Sequence, residues 1–193
     1  MKASQEEIIS AARELFRTRG YTGASMQDLA DQVGLRKASL YSRFPDKEAL
    51  VAEVLRLTLD ETFAEVDDRD DWRTAYGKVL RSMSEALTDR GRCVGLHLAY
   101  GVSDETPKAR EAVRGYFMAC RRRLALLLAA VAGPGEADRI AADALSRIEG
   151  ATLWLAIDGD GTPMQATLDR LLAEADALQV CSGKLKSGTA RAS

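Results

Sequence analysis

The stretch from Gly20 to Leu50, GYTGASMQDLADQVGLRKASLYSRFPDKEAL, places two short helical patterns on either side of a glycine and closes the second with Phe-Pro. Ser25 with Asp28 has the spacing of a capping box. Leu29, Ala30 and Val33 make one short apolar face before Gly34, a residue suited to the left-handed turn that ends a helix. The next helix is predicted from about Lys37 to Phe44. Pro45 stops it, because proline disfavours helical geometry in the residue before it and has no amide hydrogen to donate. Within that helix Leu40 and Phe44 fall on one face and turn to the core, which leaves Lys37, Ala38, Ser39, Tyr41, Ser42 and Arg43 over the remaining surface. The pattern is that of a helix-turn-helix, and its outer surface suits a major groove.

A longer helix precedes it. Ser4 and Glu7 repeat the capping-box spacing, Ile8, Ala12, Leu15 and Phe16 share a face, and Gly20 is expected to stop the helix. Together with Ile9, Ala11 and Tyr21, and followed by Lys37, Leu40, Tyr41, Phe44, Lys47 and Leu50, this ordered set resembles the N-terminal domain of the tetracycline-repressor (TetR) family of bacterial transcription regulators. The likeness covers about a quarter of the chain, and an ordered pattern of that length is far more specific than a short motif. Three positions depart from it. Arg36 stands where relatives usually place a small capping residue, Ala38 where many have glycine, and Arg43 where many have histidine. Arg36 leaves the helix start without a side-chain cap. All three add bulk or charge beside DNA, so the operator preference is expected to depart from that of relatives.

The 193 residues contain only four prolines and carry long apolar periodicities, which predicts an all-α fold of about nine helices. The division expected is a helix-turn-helix domain of three helices over 1–48, a larger helical domain over 49–181, and a disordered tail over 182–193, where apolar periodicity stops. Asp46 and Thr106 before Pro107 are the expected caps of later helices; the run Asp67 to Asp71 reads first as a solvated loop, though one of its acids can cap the helix that follows; Gly133-Pro134-Gly135 is expected as a turn, and Thr162-Pro163 starts the last helix.

A net charge of -2 argues against a broadly basic nucleic-acid coat. The first fifty residues nevertheless carry eight Lys/Arg against seven Asp/Glu, and Arg36, Lys37, Arg43 and Lys47 crowd the proposed DNA face. The opening MKASQEEIIS has no apolar signal core, and the longest apolar run, Leu124 to Ala132, is far shorter than the roughly 20 residues needed to span a bilayer. A cytoplasmic protein with no membrane partner is expected. Cys93, Cys120 and Cys181 lack Cys-x-x-Cys spacing, so reduced thiols are expected rather than a disulfide framework or a zinc knuckle. No cofactor or metal motif occurs, and with one histidine and no nucleophile elbow, phosphate loop or dinucleotide fingerprint, catalysis is not expected.

A reading helix of this length spans roughly 10 Å and reaches only a few base pairs. A homodimer on a palindromic double-stranded operator is therefore expected, its two reading helices roughly 34 Å apart or a little more. Lys37 suits guanine or a phosphate and Tyr41 a thymine methyl or a phosphate, with Ala38, Ser39, Ser42 and Arg43 on the same surface. Ser25 and Lys47, at helix N-termini, are assigned to phosphate positioning. The candidate dimer interface is Ala144, Ile148, Ala151 and Leu155 on one helix and Leu168, Leu171, Leu172 and Ala175 on the next. The resemblance puts a four-helix dimer contact in this region; ordinary intrachain packing is the competing reading.

The resemblance also implies a small-molecule pocket among the C-terminal helices, and hence a repressor released by an unidentified inducer. Cys93, His97 and Tyr100 on one predicted helix, with Tyr116, Cys120 and Trp154 from others, are its candidate lining. GRCVGLHLAYG is also similar to a Gly-Cys-Leu-type stretch in part of the family, which makes Cys93 a candidate sensor of oxidants or electrophiles. Against this stands the tendency of free cysteines to be inert core residues. A regulator that senses no small molecule is a third reading. Cys93 with His97 supplies only two ligands and does not complete a metal site.

Overall fold

The first helix begins where its caps are. The Ser4 hydroxyl accepts the Glu7 amide at 3.1 Å while the Glu7 carboxylate accepts the Ser4 amide at 2.6 Å, so α1 (Gln5–Gly23) opens with two exposed donors satisfied. The chain bends at Gly20 rather than stopping there, and the helix resumes to Gly23. Gly20 has φ 66° and ψ -175°, a region essentially closed to residues with a Cβ, and a Cβ there would stand 3.2 Å from His97 Nε2.

The computed structural model describes the backbone of residues 3–188 and the side chains of 3–178. Among the described residues there are nine helices and no strand: after α1 come α2 (Met26–Gln32), α3 (Lys37–Tyr41), α4 (Lys47–Thr62), α5 (Trp72–Arg90), α6 (Val94–Gly101), α7 (Pro107–Leu128), α8 (Pro134–Asp158) and α9 (Thr162–Gly188). None is long and apolar enough to cross a membrane, and no group of three or more metal-ligating side chains occurs among the described residues. The tail expected from Ser182 begins inside the backbone of α9, and residues 189–193 lie outside the described set.

Two compact units divide the chain, Met1–Glu61 with Arg92–Ala119 and Thr62–Gly91 with Cys120–Ser193. The boundary expected after residue 48 falls inside α4, whose buried residues Leu50, Val51, Val54 and Leu55 belong to the first unit. In that unit Ile8, Phe16, Leu29, Leu40 and Leu50 are almost wholly buried. An Arg13–Glu61 ion pair ties α1 to α4, and the His97 ring, from α6, donates from Nδ1 to the Arg17 carbonyl of α1 at 2.7 Å. The Thr106 hydroxyl, expected to cap α7, instead accepts the Ser103 amide at 2.9 Å and closes the preceding turn. Glu48 caps α7 in its place, accepting the Ala109 amide at 2.8 Å.

The second unit sets α5 against α8 and α9 around Val79, Leu80, Ala141, Ala144, Ile148 and Met164. Asp71 caps α5 by accepting the Thr74 amide at 2.7 Å. The acidic run before it is not simply solvated: Asp70 pairs with Lys78 at 2.8 Å, and Arg69 beside Asp67 pulls that carboxyl down to about 2. Gly133-Pro134-Gly135 is the start of α8, with Gly133 as N-cap, because a proline at the first helical position has its φ already set and loses no bond.

Candidate nucleic-acid interface

The turn between α2 and α3 is built from local bonds. The Ser25 hydroxyl accepts the Asp28 amide at 3.1 Å and the Asp28 carboxylate accepts the Ser25 amide at 3.2 Å, the capping box expected from the spacing. At the other end the Leu35 amide donates to the Ala30 carbonyl at 2.9 Å and the Gly34 amide to the Asp31 carbonyl at 3.3 Å. These two bonds form a Schellman motif, with Gly34 at φ 65° in its left-handed position. The chain then enters α3 through Arg36, which makes no side-chain cap. Regular helix ends at Tyr41, but the Phe44 amide still reaches the Leu40 carbonyl at 2.9 Å, so the last turn before Pro45 keeps Phe44 beside Leu40 in the core.

Burial of Leu40 and Phe44 forces the other face outward. Lys37, Ala38, Ser39, Tyr41, Ser42 and Arg43 are all exposed, and the Lys37 ammonium lies 5.8 Å from the centre of the Tyr41 ring. Lys37 and Tyr41 thus stand together, one turn of helix apart, with their polar ends hydrogen-bonded to no other described residue. Ser42 donates its hydroxyl to the Ser39 carbonyl at 2.9 Å. Arg43 donates from Nη1 to the Ala3 carbonyl at 2.7 Å, which holds the start of the chain beside the end of α3.

The two residues assigned to phosphates are more committed. Ser25 donates its hydroxyl to Asp28 at 2.6 Å, and the Asp28 carboxylate is in turn paired with Arg19 at 3.3 Å. Lys47 donates to the Tyr21 carbonyl at 2.7 Å and to the Ala24 carbonyl at 2.9 Å, with its ammonium 4.1 Å from the centre of the Tyr21 ring. Burial lowers its pKa. Two of its three protons clamp the end of α1 and the link to α2, and only the third is left for a phosphate. Charge-assisted bonds of this kind are worth about 1–3 kcal/mol. Lys47→Ala is expected to lower stability by an amount in that range, read as a drop in Tm, whatever it does to DNA binding.

Of the six candidate sensor residues, Cys93, His97, Tyr100 and Tyr116 belong to the first unit and Cys120 and Trp154 to the second. Cys93 is buried at the N-cap of α6, where its Sγ accepts the Leu96 amide at 3.4 Å, and neither it nor the buried Cys120 is in a disulfide. His97 is engaged with Arg17, while Tyr116 is buried against Gly95 and meets the Phe117 ring edge-on at 5.1 Å. Tyr100 is 81% exposed and Trp154 47% exposed. The eight candidate dimer residues face the interior of their own unit: all except the half-buried Leu172 are buried. On α8 the large apolar side chains left exposed are Leu153, Ile157 and Trp154, the last of them expected in a pocket; they form a second row on the helix.

Residues 8–54 match the model of the family described as bacterial regulatory proteins, tetR family. Among curated proteins the chain is 30% identical over 118 residues to the uncharacterized HTH-type transcriptional regulator YuxN of Bacillus subtilis, a match covering 59% of this chain and 40% of that one. It is 29% identical over 118 residues to the HTH-type transcriptional repressor BdcR of Escherichia coli, covering 59% of this chain and 60% of the relative. The matches therefore span about half the length of these relatives. Among solved structures, a TetR transcriptional regulator from Legionella pneumophila superposes with a TM-score of 0.73 at 20% identity, over 88% of this chain and 96% of that one, a likeness of fold.

Proposed function

Because the chain belongs, through residues 8–54, to the tetR family of bacterial regulatory proteins, we propose that it is a DNA-binding transcriptional repressor acting as a homodimer on a palindromic operator. The observation that carries this reading is the outward face of α3, where Lys37 and Tyr41 stand exposed over a core of Leu40 and Phe44. A helix presented in this way enters a major groove, and the dimer doubles the few base pairs that one copy reads. Ala38, Ser39 and Ser42 complete the reading surface, while Arg43 and Lys47 act chiefly by holding the chain start and the α1–α2 link in place. The named curated relatives are a transcriptional regulator and a transcriptional repressor. The protein acts in the cytoplasm, where its DNA is.

The dimer is formed by the outward row of α8. Leu153, Trp154 and Ile157 are 54%, 47% and 62% exposed and share one face, a cluster of large apolar side chains suited to a second copy. The residues first considered for this role form the layer beneath. A small molecule that prefers one arrangement of the helices relieves repression, and tenfold relief needs about 1.4 kcal/mol of differential affinity. Electrophoretic mobility shift on the DNA upstream of the protein's own gene tests the proposal. A discrete complex competed away by unlabelled fragment and weakened by salt is expected; no preference for any genomic fragment over random DNA would end it.

A further inference from the structure

A cleft of about 320 Å³ lies in the second unit between α5, α8 and α9, within the size range of small-molecule sites. Its floor is Tyr76, a residue only 1% exposed, whose hydroxyl has no hydrogen-bond partner among the described residues. A buried phenol left without a partner costs stability unless something supplies one. Tyr76 lines the cleft together with Asp143, Arg147 and Glu174. Burial, and then the Glu174 charge, push Tyr76 up to about 12, with Arg147 opposing and Asp143 adding, so the phenol keeps its proton at neutral pH.

The charge of the wall selects the ligand. Three carboxylates, Glu136, Asp143 and Glu174, face two guanidinium groups, and both guanidinium groups are already paired. Arg139 holds Glu136 through two bonds of 2.9 and 2.7 Å, and Arg147 reaches Asp143 at 3.2 Å and Glu174 at 2.7 Å. An anion would have to displace carboxylates from these arginines and leave them unpaired. A cation would not, since a carboxylate has about four acceptor positions and can serve Arg147 and a second donor together. Ile140 and Leu171 add an apolar side to the cleft.

We propose that this cleft binds a small organic ammonium ion with an apolar body, its nitrogen donating to the Tyr76 hydroxyl and to the carboxylates of Asp143 and Glu174. The phenol accepts from the ammonium and keeps its own proton. The site goes beyond the DNA-binding reading and does not depend on it, since ligand binding is measured on the full chain without DNA.

The test is calorimetric titration with 2-phenylethylammonium, set against phenylacetate, an anion of nearly the same shape. Binding of the ammonium and not of the anion is expected, weakened at least tenfold in Glu174→Gln and roughly three- to tenfold in Tyr76→Phe. Both variants should fold: Glu174 is exposed, and Tyr76→Phe removes only a hydroxyl that lacks a partner, so its Tm should stay level or rise. No ammonium binding up to about ten millimolar, an affinity weaker than roughly 3 kcal/mol, overturns the proposal. So does tighter binding of phenylacetate, or ammonium binding that neither variant weakens.

Discussion

Lys37→Ala combined with Tyr41→Ala is expected to abolish operator binding while leaving helicity, Tm and dimer unchanged. Both side chains are exposed, and among the described residues neither bonds beyond the contact between them, so their removal should change stability by less than about 0.5 kcal/mol. Their effect on DNA is of a different order. A groove contact is worth about 1–3 kcal/mol, and a dimer carries each of the two contacts twice, so the loss is at least about 4 kcal/mol, roughly a thousandfold. The single variants separate the roles. A residue that touches phosphate weakens all sequences alike and flattens the salt dependence by about one counterion per contact. A residue that reads a base relaxes preference at one position of each half-site. Undiminished binding by the double variant would remove the outward face of α3 from the DNA contact, and the proposed function would lose its main support.

What was legible in the sequence is what is decided within a few residues. Ser4 with Glu7, Ser25 with Asp28, Asp71 with Thr74 and Asp46 with Ala49 each satisfy an amide three residues on; the first two have the capping-box spacing, Asp46 is the cap expected after Pro45, and Asp71 is the one acid of its run that takes the role. Gly34 takes the left-handed turn for an equally local reason. Contacts made over long sequence distances were not legible. Lys47 points back to Tyr21 and Ala24, Arg43 reaches Ala3, and Glu48 takes the α7 amide that Thr106 was expected to serve. Lys47 and Arg43 looked free for DNA, and tertiary packing gave each a backbone partner. The same ambiguity governs α8. A helix with two apolar rows does not say which one its own chain will cover, and the row of Ala144, Ile148, Ala151 and Leu155 turned inward.

Trp154→Glu is therefore expected to split the dimer without unfolding the chain, and Ile148→Ala to do the reverse. Trp154 is half open to solvent in the single chain, so a charge there meets water when the protein is monomeric. At a dimer face the same charge must be buried without a partner, and the aromatic anchor is lost as well. Loss of such an anchor costs about 2 kcal/mol or more, and a symmetric contact incurs that cost in both copies, so dissociation should strengthen by roughly three orders of magnitude. Ile148 is wholly buried between the helices of its own unit, and truncating it leaves a cavity costing about 2–5 kcal/mol of folding stability. Sedimentation velocity and thermal melting of the two variants read the contrast directly. Monomer with native Tm for Trp154→Glu, and dimer with depressed Tm for Ile148→Ala, places the contact on the outward row. A Trp154→Glu protein that remains dimeric at micromolar concentration moves the interface elsewhere. Because one reading helix covers too few base pairs to specify a site, the Trp154→Glu monomer should also lose operator preference with its α3 surface intact.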